Sequence, residues 1–218
     1  MNTSLTRWCQ LLLLTLLLST MNNQAFGALK LLPETIGAGG EVRLIGSDYL
    51  RDQNEFKAAE DNFRFAAETA QAQPFIHAHA QRYLGRALAN QERIEEAIQA
   101  YKAAEQAYLD LGDTANVEQA WRAAADHGQA VLLAGEPEQA IEVLARAIAG
   151  IEDIRGDSHY NLIRPLTNLS AAQQASGQLT AAQSTAERAV NMAETILGPD
   201  HRFTTQAREQ LENQASER

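Results

Sequence analysis

The sequence is poor in the residues that build sheets, disulfides and metal sites. Aromatic residues fill 6% of its 218 positions, although hydrophobic residues reach 45%. The apolar content is therefore carried by Ala and Leu, not by the β-branched and aromatic side chains that pleated sheets favour. Ala, Glu, Gln, Leu and Arg are strong helix formers, and they dominate here. Positive charge is also scarce: 18 Lys and Arg stand against 28 Asp and Glu, for a formal net charge of −10. So acidic a chain is a poor general nucleic-acid binder, because that binding rests on neutralising phosphates. It is equally unsuited to anionic lipid. Cys9 is the only cysteine.

No apolar run is long enough to span a membrane, which takes roughly 20 residues. The longest, Leu11 to Leu18 interrupted by Thr15, follows Arg7 and leads through a polar stretch to Ala25-Phe26-Gly27-Ala28. A positive charge, a short apolar run and small residues two apart describe a secretory signal peptide. Residues 1–27 are expected to be removed, with cleavage after Gly27; the competing reading is an uncleaved anchor at residues 8–20. Cys9 precedes the apolar run, whereas a lipid-modified cysteine would follow it. Removal takes Arg7 with it, leaving a net charge of −11 and no cysteine. Disulfides, thiol catalysis and thiolate metal sites then fall together, as suits an oxidising compartment. The expected location is the bacterial periplasm or the exterior.

What is present is a repeat. Asn54 to Ala66, Glu92 to Ala104, Gly135 to Ala147 and Gly177 to Ala189 align, each with a turn, an Ala, a larger or apolar residue four later and a second Ala three beyond that. The first Ala falls at 59, 97, 140 and 182. Upstream of each turn lies another amphipathic run of about three turns, marked by Leu84-Gly85 and Leu88 in the second copy and Leu169-Ser170 in the fourth. Each unit reads as a helix, a tight turn and a second helix, with small residues where the backbones approach.

These residues resemble the tetratricopeptide repeat. The second copy is the best match, with Leu84-Gly85, Ala97, Tyr101 and Ala104. The period exceeds the usual 34 or so residues, as in the long repeats of kinesin light chains. Leu197-Gly198-Pro199-Asp200-His201 resembles the turn that ends those repeats, and Ile154-Arg155-Gly156-Asp157-Ser158-His159 is a degenerate copy 42 residues earlier. His127, Gln173 and the small Ala186 depart from the pattern. The resemblance implies an all-α, right-handed α-solenoid of about four helix pairs plus a C-terminal capping helix over 203–214. The expected organisation is a flexible lead-in at 28–40, a repeat domain at 41–214 and a disordered tail at 215–218.

Apparent chemistry fades under inspection. Gly37-Ala38-Gly39-Gly40 lacks the strand and the Lys-Ser/Thr ending of a phosphate loop. His77 and His79, two apart, point to different sides of a helix and share no metal. Arg155-Gly156-Asp157 reads as a repeat turn, not an adhesion motif. Asn168-Leu169-Ser170 spells a glycosylation sequon but lies mid-helix in the core. His127 is expected to be a core histidine with a satisfied hydrogen bond. No nucleophile–base pair, metal set or cofactor motif appears, so no enzyme activity and no cofactor are expected.

One arrangement remains. On the first helix of the second repeat, His79, Arg82, Tyr83, Arg86 and Asn90 share an arc opposite Leu84 and Leu88. The same arc holds Arg122, Asp126 and Gln129 in the third repeat, and Arg164 and Asn168 in the fourth. The resemblance implies that these positions line a concave groove that holds peptides. They form a basic stripe inside an acidic protein, suited to an acidic or carboxylate-ended protein partner; the competing account is a solvated face. In the first repeat the matching residues are Glu41, Asp48 and Asp52, so one end of the groove is expected to be acidic. The leading functional reading is an exported interaction scaffold. The alternative is a structural subunit of an envelope assembly that works through its convex face and termini.

Overall fold

The structure is a computed structural model, and it describes residues 56–70 and 73–216. Expectations for the leader, the lead-in, the first helix of the first repeat with Glu41, Asp48 and Asp52, and the last two residues lie outside that range. The described residues form eight α-helices and no strand: α1 (Phe56–Thr69), α2 (Pro74–Ala89), α3 (Ile94–Leu111), α4 (Thr114–Leu133), α5 (Pro137–Arg155), α6 (Ile163–Ala175), α7 (Leu179–Leu197) and α8 (Arg202–Ser216). A short 3-10 turn, Tyr160–Leu162, leads into α6.

The boundaries follow local chemistry. Pro74 and Pro137 occupy the first turns of α2 and α5, where a missing N–H costs nothing. Asp113 caps α4 by accepting the Asn116 backbone N–H at 3.0 Å. The turns within the third and fourth repeats carry Gly135 and Gly177 at φ 83° and 79°; the second has Glu92 at φ 61°. A side chain in that left-handed region costs about 1 kcal/mol. The two long-repeat turns are the same structure twice: Gly156 (φ 80°, ψ 173°) and Gly198 (φ 86°, ψ 166°) end α5 and α7. In each, the histidine three residues on accepts a backbone N–H two residues further, Asn161 to His159 Nδ1 at 3.3 Å and Phe203 to His201 Nδ1 at 3.2 Å.

Packing confirms the repeat phase. Ala59, Ala97, Ala140 and Ala182 are all fully buried. α2 with α3, α4 with α5 and α6 with α7 form the helix pairs, and α1 is the second helix of the first pair. A Cβ on Gly85 would sit 2.8 Å from the Tyr101 ring, and one on Gly128 would sit 2.5 Å from the Leu144 side chain. In the fourth pair both positions are small, with Ser170 and Ala186, 16 residues apart as before. Ser170 donates to the Ala182 carbonyl at 2.9 Å and accepts from Gln214 of α8. At this crossing the Ser170 hydrogen bonds, to α7 and from α8, stand where the other copies place a large side chain. The inner helices α2, α4, α6 and α8 also touch in succession. They form one wall, and that wall carries the site.

Candidate partner-binding groove

Three contiguous cavities run along the inner wall, of about 240, 310 and 220 Å³. Arg86 and Arg164 line all three. The first is also lined by Arg82, Tyr83, Arg122, Asp126 and Asn168, the second by Gln129 and Asn168, and the third by Asn90, Asp126 and Gln129. Nine of the ten residues on the sequence-defined arc therefore meet on one surface, brought together by a wall of helices whose equivalent turns face the same way.

His79 stands apart. Its ring is sandwiched between Phe75 (centroids 5.6 Å) and Tyr83 (4.8 Å), and its Nδ1 lies 2.7 Å from the Tyr108 hydroxyl. Burial first, then the charges of Arg82 and Arg122, push its pKa down to about 4. At neutral pH it adds no charge to the groove.

Asp126 is the centre of the wall. It is 5% exposed and takes Arg82 Nε and Nη2 at 2.8 Å each from α2, and Arg164 Nη2 at 3.3 Å from α6. Burial pulls its pKa upward, but the charges of Arg82, Arg164 and Arg86 outweigh that and hold it below the ordinary carboxylate range. One carboxylate on α4 thereby ties together inner helices from three consecutive repeats. Arg82 shares the sequence arc with Arg86, Arg122 and Arg164 but not their exposure. It is 6% exposed, and this ion pair engages it, with a further long contact to Gln119 at 3.4 Å.

The other arginines are placed differently. Arg86 lies over the Tyr83 ring at 5.4 Å. Arg122 has one hydrogen bond among the described residues, to Gln119 at 3.3 Å. Burial and then the Arg82 charge lower its pKa. Neither Arg86 nor Arg122 has a carboxylate partner among the described residues. Sequence reasoning missed Tyr160, Arg202 and Phe203, which line the first cavity. Arg202 stacks over Phe203 at 4.5 Å. The signal was in the 42-residue register of the two turns, since Tyr160 and Arg202 each follow the capping histidine.

The expected hydrogen bond of His127 is not there. The residue is 4% exposed, and neither ring nitrogen has a partner among the described residues. It occupies the Leu84 and Leu169 position of the repeat, a slot shaped for an apolar side chain. Arg155 of the adhesion-like tripeptide is bound to the buried Glu118, with Nε 2.8 Å from Oε2. Asn168 of the sequon faces the groove and Ser170 is fully buried.

The stacked pairs define an α-solenoid of helix–turn–helix repeats. Residues 121–195 match the tetratricopeptide repeat family. Among solved structures, the chain is similar to a putative kinesin light chain of Podosopora anserina with nearly identical tetratricopeptide-like repeats. Identity is 17% over 79% of this chain and 82% of that one, and the TM-score is 0.61. It is also similar to BtubC (BKLC) from P. vanneervenii, at 16% identity over 78% of this chain and 69% of that one, with a TM-score of 0.62. Among curated proteins no sequence matches. The fold is that of kinesin-light-chain-like tetratricopeptide repeats, and the tetratricopeptide repeats matched at 121–195 indicate a protein–protein interaction scaffold. No helix among the described residues is long and apolar enough to cross a membrane.

Proposed function

We propose that the protein is an exported, non-catalytic scaffold that holds an acidic segment of a protein partner along its inner wall. The observation that carries this reading is the set of guanidinium groups on the wall, Arg86 and Arg122 above all, with no carboxylate partner among the described residues. Exposed apolar surface at Leu133 and Tyr160 gives an extended segment something to pack on between charges. The leader pattern around Arg7 and Leu11 to Leu18 supports export to the periplasm.

Each exposed Arg–carboxylate pair contributes about 0.2–1 kcal/mol, rising to roughly 1.5–3 with partial burial. Three such contacts with apolar packing support an affinity on the order of micromolar, near −8 kcal/mol. The test is a titration of labelled hexaglutamate against wild type and an Arg86, Arg122, Arg164→Ala variant, at low and high salt. Binding weakened at least tenfold in the variant, and by salt in the wild type, is the expected result. Equal affinity for both proteins would move the working surface to the convex side. There, the cavity of about 600 Å³ lined by Ser184, Glu187, Arg188 and Ile196 on α7 is the surface to test next for the alternative role in an envelope assembly.

A further inference from the structure

Five arginines from α2, α4, α6 and α8 line the 240 Å³ cavity, together with a single carboxylate, Asp126. That carboxylate is already engaged by Arg82 and Arg164. Arg86, Arg122 and Arg202 are left with no carboxylate partner among the described residues. Arg86 and Arg202 lie over the rings of Tyr83 and Phe203, contacts that use none of their N–H groups. Arg122 spends one N–H on a long bond to Gln119. The site therefore offers unused donors from three separate helices around one hollow.

The hollow, of about 240 Å³, has room for a compact acidic head, and the charge around it decides which head suits it. One carboxylate brings a single negative charge against three unmatched cations. A phosphoryl monoester brings about −1.5 to −2 and three acceptor oxygens, and guanidinium forks match that geometry bidentately.

Within the groove reading given above, we propose that this cavity is a subsite for one phosphoryl monoester on a side chain of the protein partner, seated between Arg86, Arg122 and Arg202. The Arg82–Asp126–Arg164 group is its floor, and Asp126 is a positioning residue: it fixes two guanidinium groups and leaves the other three to the ligand.

The experiment is calorimetric titration of the full chain with phenyl phosphate and, separately, with succinate, at constant ionic strength. Succinate carries two negative charges on separate carboxylates, so total charge is nearly matched and only its concentration on one group differs. Phenyl phosphate is expected to bind one to one with a Kd on the order of 1 mM, at least tenfold tighter than succinate. Arg122→Gln and Arg202→Gln should each weaken it about tenfold. Arg202 is exposed, so that variant keeps the wild-type melting midpoint and carries the test even should Arg122→Gln fail to fold. Equal affinity for the two ligands, or phosphate binding untouched by Arg202→Gln, overturns the proposal. Hexaglutamate separates the two readings: if it binds while phenyl phosphate does not, the groove stands and the phosphoryl subsite falls. If neither binds, both fall.

Discussion

Arginine is used in two ways on the two sides of this molecule. Away from the groove, Glu60 on α1 gathers Lys57, Arg64 and Arg93, but three arginines that bridge later helices each meet a single carboxylate: Arg146 with Glu105 at 2.9 Å, Arg188 with Glu152 at 2.5 Å, Arg208 with Glu194 at 2.5 Å. These pairs join α3 to α5, α5 to α7 and α7 to α8, one staple per step of the array. In the inner cavity, one carboxylate stands among five arginines and pairs with two of them. The three outer pairs are held one to one, whereas the inner cavity keeps three guanidinium groups with no carboxylate partner among the described residues, on a protein of net charge −10.

The most severe way to break the contrast is to remove Asp126. Asp126→Ala leaves Arg82 buried beside Arg122 with no counter-charge, and an uncompensated buried charge of this kind costs about 3–5 kcal/mol. Urea unfolding should show a midpoint lowered accordingly with an unchanged slope. A loss below about 1 kcal/mol would mean that Arg82 finds water or another partner, and the wall would then be looser than its distances suggest.

The repeat phase was legible in the sequence because it rests on volume. Ala59, Ala97, Ala140 and Ala182 recur where helices cross closely, and small residues have few other reasons to recur at that spacing. The arc of groove residues was legible for the same reason, since helical periodicity fixes direction. What a wheel cannot show is depth. Arg82 and Arg86 are one turn apart and identical in type, yet Arg82 is sealed by the next helix and Arg86 is not. The reach of Asp126 across 44 residues to Arg82 depends on how the repeats are stacked, which no local pattern contains. Arg202 and Phe203 lay beyond the arc because the last helix was read as a cap, although its first turn also closes the groove.

A smaller effect is expected one residue along, where the contrast sharpens. Asp126 is buried with its partners; His127 is buried without any. Burial first, then Lys102 on α3 and Arg146 on α5, push its pKa down to about 4 from 6.5. It is neutral in the folded protein, while the unfolded chain takes up the proton as pH falls below 6.5. Its stabilising share is therefore complete above about pH 6.5 and is lost on the way down to about pH 4. His127→Leu restores the side chain found at Leu84 and Leu169 and removes an unsatisfied polar group worth on the order of 1–3 kcal/mol. Thermal melts should show the variant more stable at pH 7, with a margin that widens toward pH 4. His79, with the same downward shift, keeps part of the acid sensitivity. A margin that narrowed on acidification would show that His127 is charged in the fold and has a partner.

The smallest effect belongs to the outer side. Arg146 is 54% exposed and Glu105 is 12% exposed in the pair that joins α3 to α5. Burial pushes the Glu105 carboxyl up, while Arg146 and Lys102 pull it back. Removing Arg146 leaves Lys102 in place, so the carboxylate does not lose all of its compensation. Arg146→Ala should cost about 0.2–1 kcal/mol, and less in high salt, as exposed pairs do. A double-mutant cycle with Glu105→Gln isolates the pair from the packing of the arginine stem. Hexaglutamate binding should be unchanged in Arg146→Ala, because the residue lines none of the three inner cavities. A coupling energy above about 2 kcal/mol would put this staple on a par with the buried centre of the wall. One-to-one pairing would then be as demanding as the Asp126 cluster, and the inner surplus would no longer set the two sides apart.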